Sequence, residues 1–123
     1  MRQIDTIYDR AGNPVLRVFA NGRLLAFDGT SVGFVFDGNV YDYNGSHRGW
    51  YEAGILRDHV GLCAGFGENV GNAPHPLLPL KRLKPLPGLA SLEPLRPLRS
   101  LPPLKPLFQF GWSKNNPLEQ LGF

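Results

Sequence analysis

The chain has 123 residues, a formal net charge of +3, one cysteine and twelve prolines. That is room for one domain and an appendage. It excludes an internal disulfide, and no stretch approaches the roughly 18 unbroken apolar residues of a membrane-spanning helix. Residues 1–72 hold six arginines and eight acids, a net of −2, whereas residues 73–123 hold seven Lys/Arg, two acids and eleven of the prolines, a net of +5. The single Cys63 and a start, Met1-Arg-Gln-Ile-Asp-Thr6, without a charged-then-apolar leader pattern predict a reducing, cytoplasmic compartment.

Residues 7–70 carry a worn repeat. Val40-Tyr-Asp-Tyr-Asn-Gly-Ser-His-Arg-Gly-Trp50 and Leu56-Arg-Asp-His-Val-Gly-Leu-Cys-Ala-Gly-Phe66 both fit apolar-x-Asp-x-x-Gly-x-x-x-Gly-aromatic. An earlier copy, Ala26–Phe34, keeps Gly29, Gly33 and Phe34 but, counted from Asp28, lacks two residues. The first copy keeps Tyr8, Asp9 and Gly12, and puts Leu16 and Arg17 where the second Gly and the aromatic stand elsewhere. Asp-x-x-Gly supplies a side chain that caps its own turn and a residue free to take positive φ. Apolar residues alternate on both sides, so each copy predicts a β-hairpin, and further turns at Asn21-Gly22, Asp37-Gly38 and Ala53-Gly54 separate the copies. Repeats of about 16 residues bury no face alone and must close around a shared centre. The expected fold is all-β: four short hairpins (residues 1–72) closing into a shallow pseudo-four-fold barrel.

From Leu77 to Leu107 every third residue is leucine, Phe110 continues the phase, and proline precedes most of the leucines. A three-residue period with this much proline predicts a polyproline II arm over residues 73–110. Helix is excluded by its 3.6 period and by proline's missing N–H. One face carries the leucines, the second Lys81, Lys84, Arg96, Arg99 and Lys105 with Glu93, and the third is mostly proline. The basic face is read as a solvated stripe that keeps a greasy arm soluble. Residues 111–123 predict an anchor. Asn116-Pro117-Leu118-Glu119 is a one-turn helix start with Asn as N-cap, Pro at N1 and Glu at N3.

Together the Tyr-Asp-x-x-Gly turns, the Gly-Trp and Gly-Phe pairs and the proline-rich run before Gly111-Trp112-Ser113 and Leu118-Glu119-Gln120 resemble the four-fold β-flower family. The resemblance implies four hairpins arranged as petals, and no activity. Related flower-like folds are compared with lipid-associated barrels of the Tubby type, which is analogy alone. The turns also resemble, more weakly, the YD repeats of large bacterial shell proteins.

The residues offer little chemistry. His47, His59 and Cys63 lack metal-ligand spacing; His59 and Cys63 would share a strand face but for the turn at Gly61. Asp9, Asp28, Asp42 and Asp58 sit where turns use aspartate, so a cation-binding ring is not expected. No nucleophile has a base partner. The chain is expected to be no enzyme, with no catalytic, cofactor or metal site and no specific nucleic-acid partner. Phe34, Trp50 and Phe66 occupy equivalent positions and predict a packed aromatic ring, or an open apolar mouth for a small ligand, a lipid tail or the arm. The leucine edge is expected to seek cover, with Leu80, Leu83, Leu86, Leu95, Leu98, Leu104, Phe110, Trp112 and Leu118 making the arm and anchor contacts. The functional expectation is a structural or interaction module that binds itself as a homo-oligomer or binds another protein. In one form of it, Pro76–Lys81 and Pro94–Arg99 serve as ligands of a polyproline-reading domain. The alternative is a lipid- or ligand-binding barrel at an anionic membrane surface.

Overall fold

The computed structural model describes residues 1–123. Strands β1 (Gln3–Tyr8), β2 (Pro14–Phe19), β3 (Arg23–Ala26), β4 (Ser31–Phe36), β5 (Asn39–Tyr41), β6 (His47–Glu52), β7 (Ile55–Arg57) and β8 (Cys63–Phe66) each pair antiparallel with the next. β1 then pairs with β8 through Tyr8 and Phe66, and the barrel closes. The hairpin expectation holds for all four petals.

The petal turns are built alike. Asp9 Oδ1 accepts the N–H of Ala11 and of Asn13, Asp42 Oδ1 those of Asn44 and Ser46, and Asp58 Oδ1 those of Val60 and Leu62. Three residues after each aspartate, Gly12, Gly45 and Gly61 take φ of 86°, 84° and 89°. The second petal corrects the sequence reading. Gly29 donates to the Ala26 carbonyl at 3.0 Å, as Gly12 donates to Asp9 at 2.9 Å. Its turn therefore has full length. Ala26 stands where the other petals have aspartate, and Asp28 caps Thr30 instead. A ring of four equivalent carboxylates does not exist.

Every petal also carries a bulge at the same place. Leu24 faces Gly33 but Leu25 faces Ser31, and the same slip recurs at Ile7/Tyr8, Val40/Tyr41 and Leu56/Arg57. Two residues of the second strand oppose one of the first, which bends the strand and tightens the closure. Ile7, Leu24, Val40 and Leu56, one per petal, meet in the barrel centre with Leu16, Val32 and Ala64. The next residues, Tyr8, Leu25, Tyr41 and Arg57, point to the outer wall, because successive strand side chains alternate. Phe34, Trp50 and Phe66 lie on that wall too, opposite or beside them in the ladder.

The centre is completed by the chain's own end. Helix α1 (Pro117–Gln120) starts with the expected capping box: Glu119 N–H donates to Asn116 Oδ1 at 2.8 Å, and Asn116 N–H to Glu119 Oε1 at 2.9 Å. Leu121, just past it, is fully buried in the central core. Three glycines make the space. A Cβ on Gly65 would come within 2.8 Å of Pro117, one on Gly33 would overlap Leu121, and Gly49 lies beside the Gln120 amide. In the first petal, Leu16 takes the glycine's place and fills the centre itself. That is the physical reason the first repeat departs from the pattern.

Candidate interaction surface

Residues 74–109 form neither helix nor strand. In an up-and-down barrel consecutive turns alternate between the two ends, so the four petal turns share one rim. The arm runs round that rim. Arg82 N–H donates to the Gly12 carbonyl at 2.8 Å, Ser91 to Gly29 at 2.9 Å, Ser100 to Gly45 at 2.9 Å and Gln109 to Gly61 at 3.0 Å. The donors are nine residues apart, which is three turns of a three-residue repeat. All four turn glycines are buried beneath the arm.

Each corner is reinforced by the same residue's side chain. Arg82 Nε donates to the Ala11 carbonyl at 3.3 Å, Ser100 Oγ accepts His47 N–H at 3.2 Å, and Gln109 Nε2 donates to the Val60 carbonyl at 2.7 Å. Ser91 Oγ lies 3.2 Å from Ser31 Oγ. These four residues share the phase of Pro76, Pro79, Pro85, Pro94, Pro97, Pro103 and Pro106. Proline supplies no N–H, so it occupies that face except where a petal needs a donor. Gly88, the remaining exception, donates to the Phe27 carbonyl.

The basic phase stays exposed, as a solvated stripe would, at Lys81, Lys84, Arg96, Arg99 and Lys105, and its side chains also find partners. Lys84 pairs with Glu68 at 2.5 Å, Arg96 with Glu93 at 2.9 Å, and Lys105 with Glu52. Arg96 stacks over Phe34 at 4.9 Å and Arg99 over Phe36 at 3.7 Å. Glu93 accepts the Tyr43 hydroxyl at 2.7 Å. Burial opposes ionisation of Glu68, but the Lys84 ammonium and the Tyr8 hydroxyl outweigh it and hold the carboxyl below its usual range.

The circuit closes at Arg57. This fully buried guanidinium donates from Nη1 to the Gln109 carbonyl at 2.9 Å and from Nη2 to the Pro74 carbonyl, so one side chain clasps both ends of the belt. Phe108 lies under it, its ring centre 4.5 Å from the guanidinium carbon. Beyond the clasp, Trp112 packs on Phe66, and Cys63 exchanges backbone bonds with Gly111 and Ser113.

With the proline phase turned to the petals, the leucines are left outside. Leu77 through Leu107, all eleven of the row, are 91–97% exposed. The cover that this edge is expected to seek does not come from within the chain: Leu80, Leu83, Leu86, Leu95, Leu98 and Leu104 are 92–97% exposed. At Leu80 and Leu98 it is the carbonyl, lying against Gly12 and Gly45, that meets the petals. The arm is ordered by main-chain bonds and paired side chains, and its greasy edge is not part of that.

A family model described as "4-fold beta flower protein" matches residues 5–121, nearly the whole chain. The chain belongs to that family. No curated protein and no solved structure matches it. The remaining expected sites of this β-flower are accounted for by packing. Phe34 and Phe66 are fully buried and Trp50 nearly so, Phe34 stacked on Tyr41 and Phe66 on Tyr8. They form no open mouth, since Leu121 and the inner ring fill the barrel. Leu118 packs against that core from its edge, and Phe110 is largely exposed.

His59 and Cys63 do not converge. Cys63 is buried, its Sγ 3.4 Å from the Gly65 carbonyl, and burial pushes the thiol up to about 11. His59 instead meets His47, with Nε2 and Nδ1 3.0 Å apart, across two petals that sequence spacing does not join. Asn39 Oδ1 accepts from the other ring nitrogen of His47 at 3.0 Å. Burial, then the neighbouring His59 charge, brings His47 down to about 4. The residues that sequence reasoning missed are Arg57, Arg82, Ser91, Ser100 and Gln109. The signal was there for the last four, which interrupt the proline phase at intervals of nine.

Proposed function

We propose that this β-flower is an interaction module: a rigid four-petal hub whose arm, wound as a polyproline II belt, presents a row of leucines to other proteins. One observation carries the reading, the eleven side chains that are 91–97% exposed in a single phase. At roughly 60–120 Å² apiece, from 1.5–3 kcal/mol per leucine at 25 cal/mol/Å², they amount to about 700–1,300 Å². That total is spread as a row around the rim, and apolar surface of this extent, rimmed by polar residues, marks an interaction site.

The membrane reading is weaker. It needs the basic face free for anionic headgroups, and Lys81, Lys84, Arg96 and Lys105 are engaged by Glu68, Glu93 and Glu52. No helix is long and apolar enough to cross a membrane. The test compares the whole chain with a variant carrying Leu83, Leu86, Leu95 and Leu98→Ser. An apolar-surface dye should bind the first far better than the second, while near-ultraviolet dichroism of the two agrees. Neither should float with vesicles. Equal dye binding, or flotation on anionic vesicles lost at high salt, overturns the reading.

A further inference from the structure

We infer that the leucine belt is covered by further copies of this chain, meeting edge to edge on several sides at once. The inference rests on the interaction reading above and names its partner. It starts from the way the belt is cornered. Contacts at Arg82, Ser91, Ser100 and Gln109 divide the arm into sides of nine residues. Three sides carry three leucines each: Leu83, Leu86 and Leu89, then Leu92, Leu95 and Leu98, then Leu101, Leu104 and Leu107. The fourth, across the Arg57 clasp, carries Leu77 and Leu80 with Phe110. The molecule therefore presents much the same apolar edge on every side.

Spacing makes such an edge complementary to itself. In polyproline II geometry, leucines three residues apart stand roughly 9 Å from one another along a straight rod. The interval between two of them admits a third from an opposing rod displaced by half a period. Two belts then interdigitate as a single-row zipper, and no other shape needs to be supplied. The flanks oppose this approach only weakly. Of the cations beside the leucines, Lys81 and Lys84 share Glu68, Arg96 pairs with Glu93 and Lys105 with Glu52, while Arg82 bonds the Ala11 carbonyl and Arg99 lies over Phe36, so the like charge that meets a second copy is reduced.

Area decides the form of assembly. Three leucines offer about 180–360 Å² per partner, against the roughly 800 Å² per partner of a stable two-body interface. One edge is too small to hold a dimer. Several edges used together bring the total into the stable range, so binding is cooperative and grows outward from each hub. Edges that repeat around an axis build open arrays when the contacts do not close on themselves.

Sedimentation of the full-length protein from micromolar to millimolar concentration tests the inference, with Leu92, Leu95 and Leu98→Ser on one side and the nine-leucine variant on three. The wild type should pass from monomer to a broad distribution of large species with no dimer plateau. The three-leucine variant should need severalfold higher concentration, and the nine-leucine variant should stay monomeric with unchanged far-ultraviolet dichroism. A wild type that remains monomeric throughout, a single stable dimer, or an unaltered profile in the nine-leucine variant overturns it. A monomeric wild type whose leucine-dependent dye binding persists removes the self-partner and leaves the interaction reading standing.

Discussion

Arg57 occupies the place in the fourth petal that Tyr8, Leu25 and Tyr41 hold in the other three, and it is the only charged residue of that ring. Its guanidinium donates to the Gln109 and Pro74 carbonyls and, more distantly, to the Gly61 carbonyl that already accepts Gln109 N–H, and Nε has no partner. Arginine suits the post because its planar fork serves several acceptors at once. We predict that Arg57→Met, which keeps the length and loses the donors, costs about 2–5 kcal/mol, since buried acceptors stripped of a donor cost about 1–3 each. Urea denaturation measures the loss. Amide exchange at Gln109 should speed up more than exchange in β3 and β4. His47 gives the second prediction at this scale. Its folded value lies below that of the unfolded chain, so the unfolded state takes the proton first and stability falls as pH drops from about 6.5 toward about 4. Above about 6.5 nothing is lost. His47→Gln should flatten the denaturation midpoint between about pH 6.5 and 5, above the carboxylate range. His59→Ala should flatten it only in part, because burial is the larger cause. Midpoints that slope equally in wild type and His47→Gln would refute the assignment.

At the scale of elements, the strands and the helix were legible because their signals are local. Asp-x-x-Gly caps a turn wherever it occurs, and Asn116-Pro-Leu-Glu119 contains both halves of a capping box. The arm was legible in its period and not in its orientation. A three-residue repeat fixes three straight edges, but hydrophobicity alone favours docking the leucine edge. What docks instead is the edge with an N–H every ninth residue, and its partners are carbonyls in turns that sequence alone does not place along one rim. The same logic yields a sharp comparison. Ser100→Ala loses only the hydroxyl that accepts from His47 N–H, whereas Ser100→Pro also removes the donor to Gly45. In the polyproline II form proposed for the arm, proline's φ is the one already required, so the lost donor is the intended difference. We predict a cost of about 0.5–1.5 kcal/mol for the alanine and about 1–3 more for the proline, which leaves the buried Gly45 carbonyl unpaired. Faster exchange at the neighbouring corners, Ser91 and Gln109, should accompany the proline alone. Equal stabilities for the two variants would show that the corner bond contributes nothing.

For the whole molecule, the four-fold plan is completed by the part of the chain that has no repeat. Gly33, Gly49 and Gly65 recur every sixteen residues and read, in sequence, as turn or strand glycines. Their common purpose appears only when residues 117–121 enter the barrel from the far end of the belt, far along the chain from all three glycines. A barrel of about 70 residues hides only about 60% of its unfolded surface, and this one takes the last of its core from its tail. Folding of the hairpins, closure of the belt and seating of Leu121 should therefore form one cooperative event. Leu121→Ala tests that coupling. The truncation leaves a cavity in the central cluster that also holds Leu24, Val40 and Leu56, beside Gly33, which has no side chain to fill it, so the expected cost is about 2–5 kcal/mol. If the tail and barrel are one unit, strand amides and arm amides lose protection together, and the denaturation curve stays single and steep with its midpoint lowered. If instead the arm detaches while β1–β8 keep full protection, the barrel is complete without its tail, and the three glycines must be explained by the strands alone.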